Sequence, residues 1–315
     1  EQDNSLKLDP YADETGEQTM EDAAPKAGSS GTMEGGVSWE LTDDGKLILS
    51  GEGTLIQGEV PEITEDMAEG IVSLEIGEGV GGADSIENIV WLIQCTNLKE
   101  ISVQEGNQEI SSQDGVLFNK DKTVLILFPA GKEGSYTVPE GVTELGMGAF
   151  AYGKATEIIL PATLTTIGQQ AFALNPALQS VSIPQGVTEI PAQTFYGCRG
   201  LQKVELPEGL TSIGQYAFNS CVSLSEAELP DSLTSIGSSA FAGSGLQSVT
   251  IPENVKEIGD QAFLKCAALN KLRLETGQLP QVNARTFSGC TGLQSVEIAK
   301  TVKSLDSSVF TAINS

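Results

Sequence analysis

LPEGLTSIGQYAF, Leu206 to Phe218, returns almost unchanged as LPDSLTSIGSSAF, Leu229 to Phe241. A fixed interval of roughly 23 residues means stacked structural units, so length alone sets no domain count for this chain. The phase carries outward in both directions. Phenylalanine recurs at Phe150, Phe172, Phe195, Phe218, Phe241, Phe263, Phe287 and Phe310, at nearly even intervals. Alanine precedes five of the eight; threonine precedes Phe195 and Phe287, and valine precedes Phe310. Pro139, Pro161, Pro184, Pro207, Pro230 and Pro252 mark the same phase, each closing a short alternating run such as LQSVSIP (Leu178 to Pro184) or LQKVELP (Leu201 to Pro207).

The physics of one unit follows from its residues. L-x-x-V-x-I turns its apolar side chains to one face at period two, a short half-buried strand. Proline ends it, having no N–H for a continuing ladder. A second short run follows, such as LTSIG (Leu210 to Gly214), with the glycine permitting a corner. The Ala-Phe pair then sits in a half-turn too short for a stable helix, with the ring directed inward. No unit buries its face alone. Stacking at about 4.8 Å lets each strand pair in parallel with the next and each phenylalanine stack on its neighbour.

Upstream segments fit the frame more loosely. Leu98, Ile101 and Val103 mark one strand, and IVSLEIGEGV (Ile71 to Val80) marks another with Gly77 in the proline slot. GVLFNKDKTVLILFP, Gly115 to Pro129, places two apolar runs around Asn119-Lys120-Asp121-Lys122, a hairpin that lengthens one unit near 104–135. VSWELTDDGKLILSGEGTL, Val37 to Leu55, is a second hairpin pattern turning at Asp43-Asp44-Gly45. The resulting division is an acidic flexible tether at 1–36, a hairpin cap at 37–70 and a solenoid at 71–315.

The motif L-x-x-V-x-I-P…I-G-x-x-A-F-x-x-C, spanning 71–310, resembles the BspA-like leucine-rich repeat family of bacterial surface proteins. The segments DGVLFNKDKT and SWELTDDGKLILSGEG are similar to companion modules of such proteins. The resemblance implies a leucine-rich repeat solenoid of ~23-residue repeats, with short parallel strands joined by irregular or short helical turns. It also implies export, surface attachment and a role in adhesion or protein recognition. Two C-terminal units depart from the motif: Leu274-Glu275-Thr276 and Ile298-Ala299-Lys300 lack the proline.

Composition narrows the function. Net charge is −26, and most of it falls within 1–80, a balance that repels phosphate backbones and argues against a nucleic-acid partner. The chain has no histidine, which removes Ser-His-Asp and Cys-His nucleophile systems and the commonest metal ligand. No stretch approaches the roughly 18 consecutive apolar residues of a membrane helix. No leader pattern opens the chain, so for an exported protein this would be the processed form or a trimmed piece of it.

Cys198, Cys221, Cys266 and Cys290 each follow a repeat phenylalanine at the same short offset, and Cys95 precedes Leu98 as Cys198 precedes Leu201. All five therefore share one column, which Asn175 also occupies; the resemblance gives this slot to an inward Asn or Cys facing loop backbone. Free buried thiols are expected. Bridges between neighbouring turns, Cys198 with Cys221 and Cys266 with Cys290, remain the alternative at a spacing of about 5 Å. Thr143, Thr165, Thr188, Thr211 and Thr234 form a second column, read as β-propensity and neighbour hydrogen bonding; an ice-binding ladder would need T-x-T pairs on a flat face. Asp43-Asp44-Gly45 and Asp114-Gly115 lack the alternating oxygen ligands of a calcium loop and read as turns. Neither a metal nor a cofactor is expected.

The remaining candidate is the outward strand face. Its third and fifth positions read Ser180 and Ser182, Lys203 and Glu205, Glu226 and Glu228, Ser248 and Thr250, Lys271 and Arg273, Ser295 and Glu297. Solvated face is the plain reading of such residues; a protein-binding strip is the functional one, with the basic Lys271/Arg273 stripe meeting an acidic partner. The sequence thus predicts a non-enzymatic, extracellular, monomeric recognition or adhesion module that binds a host or bacterial surface protein through these residues. A structural spacer presenting other domains is the alternative.

Overall fold

The computed structural model describes residues 28–57, 65–84, 86–276, 285–300 and 302. Phe310 and most of the acidic tether lie outside them. The chain winds into a parallel β-solenoid of about 10 turns with little helix. Each regular turn has three walls.

The first wall is the L-x-x-V-x-I run. Ser180–Ser182, Lys203–Glu205 and Glu226–Ala227 pair in parallel, with Ser180 opposite Lys203 and Lys203 opposite Glu226. Ser248–Ile251, Lys271–Leu274 and Ser295–Ile298 continue the stack in the same sense. The proline carbonyl then accepts the N–H three positions on, as in Leu210 to Pro207 at 3.1 Å and Leu233 to Pro230 at 3.0 Å. Proline therefore both stops the strand and opens the turn. Ala299 does the same without proline, accepting from Val302 at 3.0 Å, so that departure from the motif leaves the local geometry intact.

The second wall is built mainly of two-residue strands that end at the isoleucine of the I-G pair, among them Ser212–Ile213, Ser235–Ile236 and Glu257–Ile258. The glycine that follows acts differently from the sequence expectation. Gly168, Gly214, Gly237 and Gly259 need no left-handed backbone; they lie so close to the preceding turn that a Cβ would meet its backbone at 2.2 to 2.5 Å. Space, not a corner, selects glycine here.

The third wall carries the phenylalanines. The N–H of Phe218 bonds to the Ala240 carbonyl at 2.7 Å, and that of Phe241 to Ala262 at 2.7 Å, forming a backbone ladder outside any regular strand. From Phe150 to Phe287 successive rings stack at 4.9 to 5.3 Å within 10° of parallel. Left-handed residues flank these rings, two positions before and two after. Tyr216 (φ 55°) and Ser220 (φ 60°) do so around Phe218, and Ser239 (φ 54°) and Gly243 (φ 67°) around Phe241. A non-glycine residue there costs of order 1 kcal/mol, which the ladder and the stacked rings offset.

Two expectations about the N-terminal half change. The Gly115–Pro129 hairpin is one part of a three-stranded antiparallel meander of Ile110–Gln113, Val116–Asn119 and Val124–Leu127. Its extra turn lies at Asp114 and Gly115, with φ of 53° and 76°. The last meander strand then enters the second wall, pairing in parallel with Glu144–Leu145. Within the segment read as tether, Ser29–Thr32 is a strand, antiparallel to Ser38–Leu41. Ser38–Leu41 pairs with Lys46–Ser50 as the expected hairpin, and Lys46–Ser50 pairs in parallel with Ser73–Ile76. The polar run SSGT has no apolar alternation of its own; the open edge of the Trp39 strand supplies its pairing.

Candidate interaction surface

All twelve candidate residues are exposed on the first wall, where the inward neighbours Val181, Val204, Ala227, Val249 and Leu272 are buried. Parallel register aligns them in rows across the strands. One row runs Ser135, Glu157, Ser180, Lys203, Glu226, and another runs Ser248, Lys271, Ser295.

The cations on this face are not free. Lys271 Nζ lies 3.1 Å from Glu297, and Arg273 reaches Glu275 at 2.7 Å and Glu297 at 3.1 Å. The Lys271 ammonium beside Glu297 holds its carboxyl below the usual carboxylate range. Lys203 lies 2.8 Å from Glu205 on its own strand. Exposed pairs of this kind add little to stability, but they offset the basic character on which the sequence expectation rested. Among the described residues, Glu226 and Glu228 take part in none of the salt bridges.

A groove of about 470 Å³ opens between the Lys154–Ile159 and Ser180–Ser182 strands, lined among others by Glu157, Ile159, Ala162, Ser182 and Pro184. Ile159 is 47% exposed at its rim. Nothing in the sequence expectation pointed to this turn, although the signal was present. In ATEIILP the fifth strand position, polar in the six turns named above, holds isoleucine.

The other columns are structural. All five cysteines are free and buried. The Cys198 thiol donates to the Phe172 carbonyl at 3.0 Å, Cys221 to Phe195 at 3.0 Å, Cys266 to Phe241 at 3.1 Å and Cys290 to Phe263 at 3.1 Å. Each of these four thiols thus satisfies the carbonyl of the phenylalanine one turn earlier. The threonine hydroxyls serve the adjacent backbone likewise, Thr211 donating to Thr188 O at 3.0 Å and Thr234 to Thr211 O at 2.9 Å. The Asp44 carboxylate accepts from the Thr42 hydroxyl at 2.5 Å within its turn. Among the described residues no group of three or more Cys, Asp or Glu is arranged to hold a metal ion, and no helix is long and apolar enough to cross a membrane.

The thiol column can be tested in two ways. Native protein should label slowly with a thiol reagent, and unreduced, denatured protein should give all five thiols; recovery of three or one would establish bridges. The second test concerns pH. Burial pushes Cys95 and Cys198 up to about 12 and Cys221 well above the ordinary 9.0. The unfolded chain therefore loses these protons first as pH rises. The stabilisation is complete below the unfolded value and is lost towards the folded one. Each thiol should remove about 1.4 kcal/mol per pH unit in that window. Urea titrations at about pH 8 and about pH 10.5 should show a steep fall, shallower in Cys198→Ala; equal slopes would contradict this.

Residues 133–244 and 211–315 match the profile of the BspA type leucine-rich repeat region, in six copies. This chain belongs to the BspA-type leucine-rich repeat family. BspA-type repeats therefore account for the second and third walls as well as the strand face. Among solved structures, the pneumococcal vaccine antigen PcpA is similar at 25% identity and a TM-score of 0.50, over 73% of this chain and 52% of that one. The chain thus spans about half the length of that antigen. A leucine-rich repeat protein from Bacteroides ovatus shares the fold at 20% identity and a TM-score of 0.55, over 85% of this chain and 76% of that one. No curated protein sequence matches the chain. The family supports a surface repeat protein, on a fold that is typically non-enzymatic.

Proposed function

We propose that the chain is a non-enzymatic recognition module on the outer surface of a bacterium, and that it binds a protein partner through the first wall. One observation carries this reading: a row of exposed, in-register side chains stands on a core whose stacked rings hold it rigid. In such a surface the backbone is ordered before binding, so only the side chains remain to be fixed. Family membership and the likeness to a vaccine antigen support a location outside the cell.

The test is an array of bacterial surface and extracellular-matrix proteins probed with two variants. One carries Ser180→Arg and Ser182→Arg on the first wall; the other carries Ser212→Arg and Ser235→Arg on the second. The first should lose about tenfold or more in affinity for every partner of the wild type. The second should lose none. Equal binding by all three proteins would favour a spacer that holds other domains away from the envelope.

A further inference from the structure

The charge on the first wall is uneven, and the imbalance selects a partner. Towards the C-terminal end, the ion pairs of Lys271 and Arg273 with Glu297 and Glu275 neutralise the face. Between the Lys154–Ile159 and Glu226–Ala227 strands the balance is different. At the outward positions Glu157, Glu205, Glu226 and Glu228 meet one cation, Lys203, which Glu205 already holds. Glu157 accepts from a neutral group, the Ser135 hydroxyl at 2.9 Å. The groove beside Ile159 adds apolar surface at one end of this acidic field. Ser182 leaves room there, while Ala162 and Pro184 form its apolar walls.

We propose that this part of the face takes a cationic protein segment with an apolar anchor. An aliphatic or aromatic side chain seats on Ile159 in the groove, and lysines or arginines of the same segment meet Glu157, Glu226 and Glu228. The inference rests on the strand-face reading and specifies its partner. Charge complementarity carries it, and the spacing fits. Glu157 and Glu226 stand three strand steps apart in one row, roughly 14 Å at about 4.8 Å per step. An extended segment of about five residues covers that distance at about 3.4 Å per residue. A partly exposed isoleucine in a groove offers the water-excluding contact that fixes an anchor, and the surrounding carboxylates set orientation and on-rate.

The probe is a fluorescein-labelled dodecapeptide of alternating arginine and leucine, read by anisotropy, with its glutamate–leucine counterpart beside it. Generic attraction to a chain of net charge −26 has to be separated from a site. The variants therefore change few charges. Ile159→Ser installs the residue that the next turn already carries and alters no charge; it should weaken the arginine peptide by about tenfold. Glu226→Gln with Glu228→Gln should weaken it by about fivefold at low salt, and less at high salt. Glu144→Gln with Glu257→Gln removes the same charge from the second wall and should leave binding within about twofold. If the second-wall variant weakens binding as much as Glu226/Glu228, or if Ile159→Ser binds as wild type, attraction is diffuse and the site is wrong. If the glutamate peptide binds instead, and Lys271→Ala with Arg273→Ala abolishes it, the partner chemistry is overturned while the strand-face reading stands. Failure of both peptides also overturns the proposal; the protein array then judges the strand-face reading by itself.

Discussion

Replacing Phe218 by alanine should cost about 3–5 kcal/mol in a urea titration, the range for emptying a fully buried aromatic site. The ring has no exposure and lies between Phe195 and Phe241, each at 5.1 Å and 8° from parallel. Truncation therefore removes the ring's own burial and one face of contact from each neighbour. The cavity cannot collapse readily, because the backbone ladder through Phe218 N and Ala240 O fixes the spacing of the turns. Phe218→Leu, which retains most of the volume, should cost clearly less. A loss below about 1 kcal/mol for the alanine variant would mean that the ring column is not a principal support of the solenoid.

Gly237→Ala should destabilise by about 3 kcal/mol, although alanine ordinarily improves on glycine within a strand or turn. The added Cβ would lie 2.5 Å from Gln215 N and 2.6 Å from Gly214 C, both backbone atoms of the turn before. Neither can swing aside as a flexible side chain would, so two turns must separate and strain the ladders on both sides. Gly209→Ala is the matched control. There the nearest atom to the new Cβ is Gln185 O at 4.0 Å, and the backbone is not left-handed, so the change should be neutral or slightly stabilising. Equal effects at the two sites would show that chain entropy, not the close approach of turns, governs these glycines.

Much of this molecule was legible because each repeat is nearly self-describing. Period-two apolar runs, a proline at a fixed phase and one phenylalanine per repeat specify a turn, and repetition specifies its neighbour. That is why the ring column, the thiol column and the outward direction of Ser180 to Glu297 could be assigned from the residues. The sequence also carried the isoleucine anomaly at Ile159, which becomes conspicuous once the outward positions are aligned.

What lay beyond reach depends on distances between turns. The SSGT segment is a strand only because the Trp39 strand offers it an edge. Glycine in the I-G pair looks like a conformational requirement until, as at Gly237, the preceding turn is placed 2.5 Å from its missing Cβ. Lys271 and Arg273 look like a basic stripe until Glu297, opposite Arg273 on the next strand, is brought within 3.1 Å of both. A repeating sequence determines the unit and the direction of its side chains, because those follow from local backbone period. Charge cancellation, close approach and an open groove arise between units, where register and separation set every distance, and only the tertiary structure decides them.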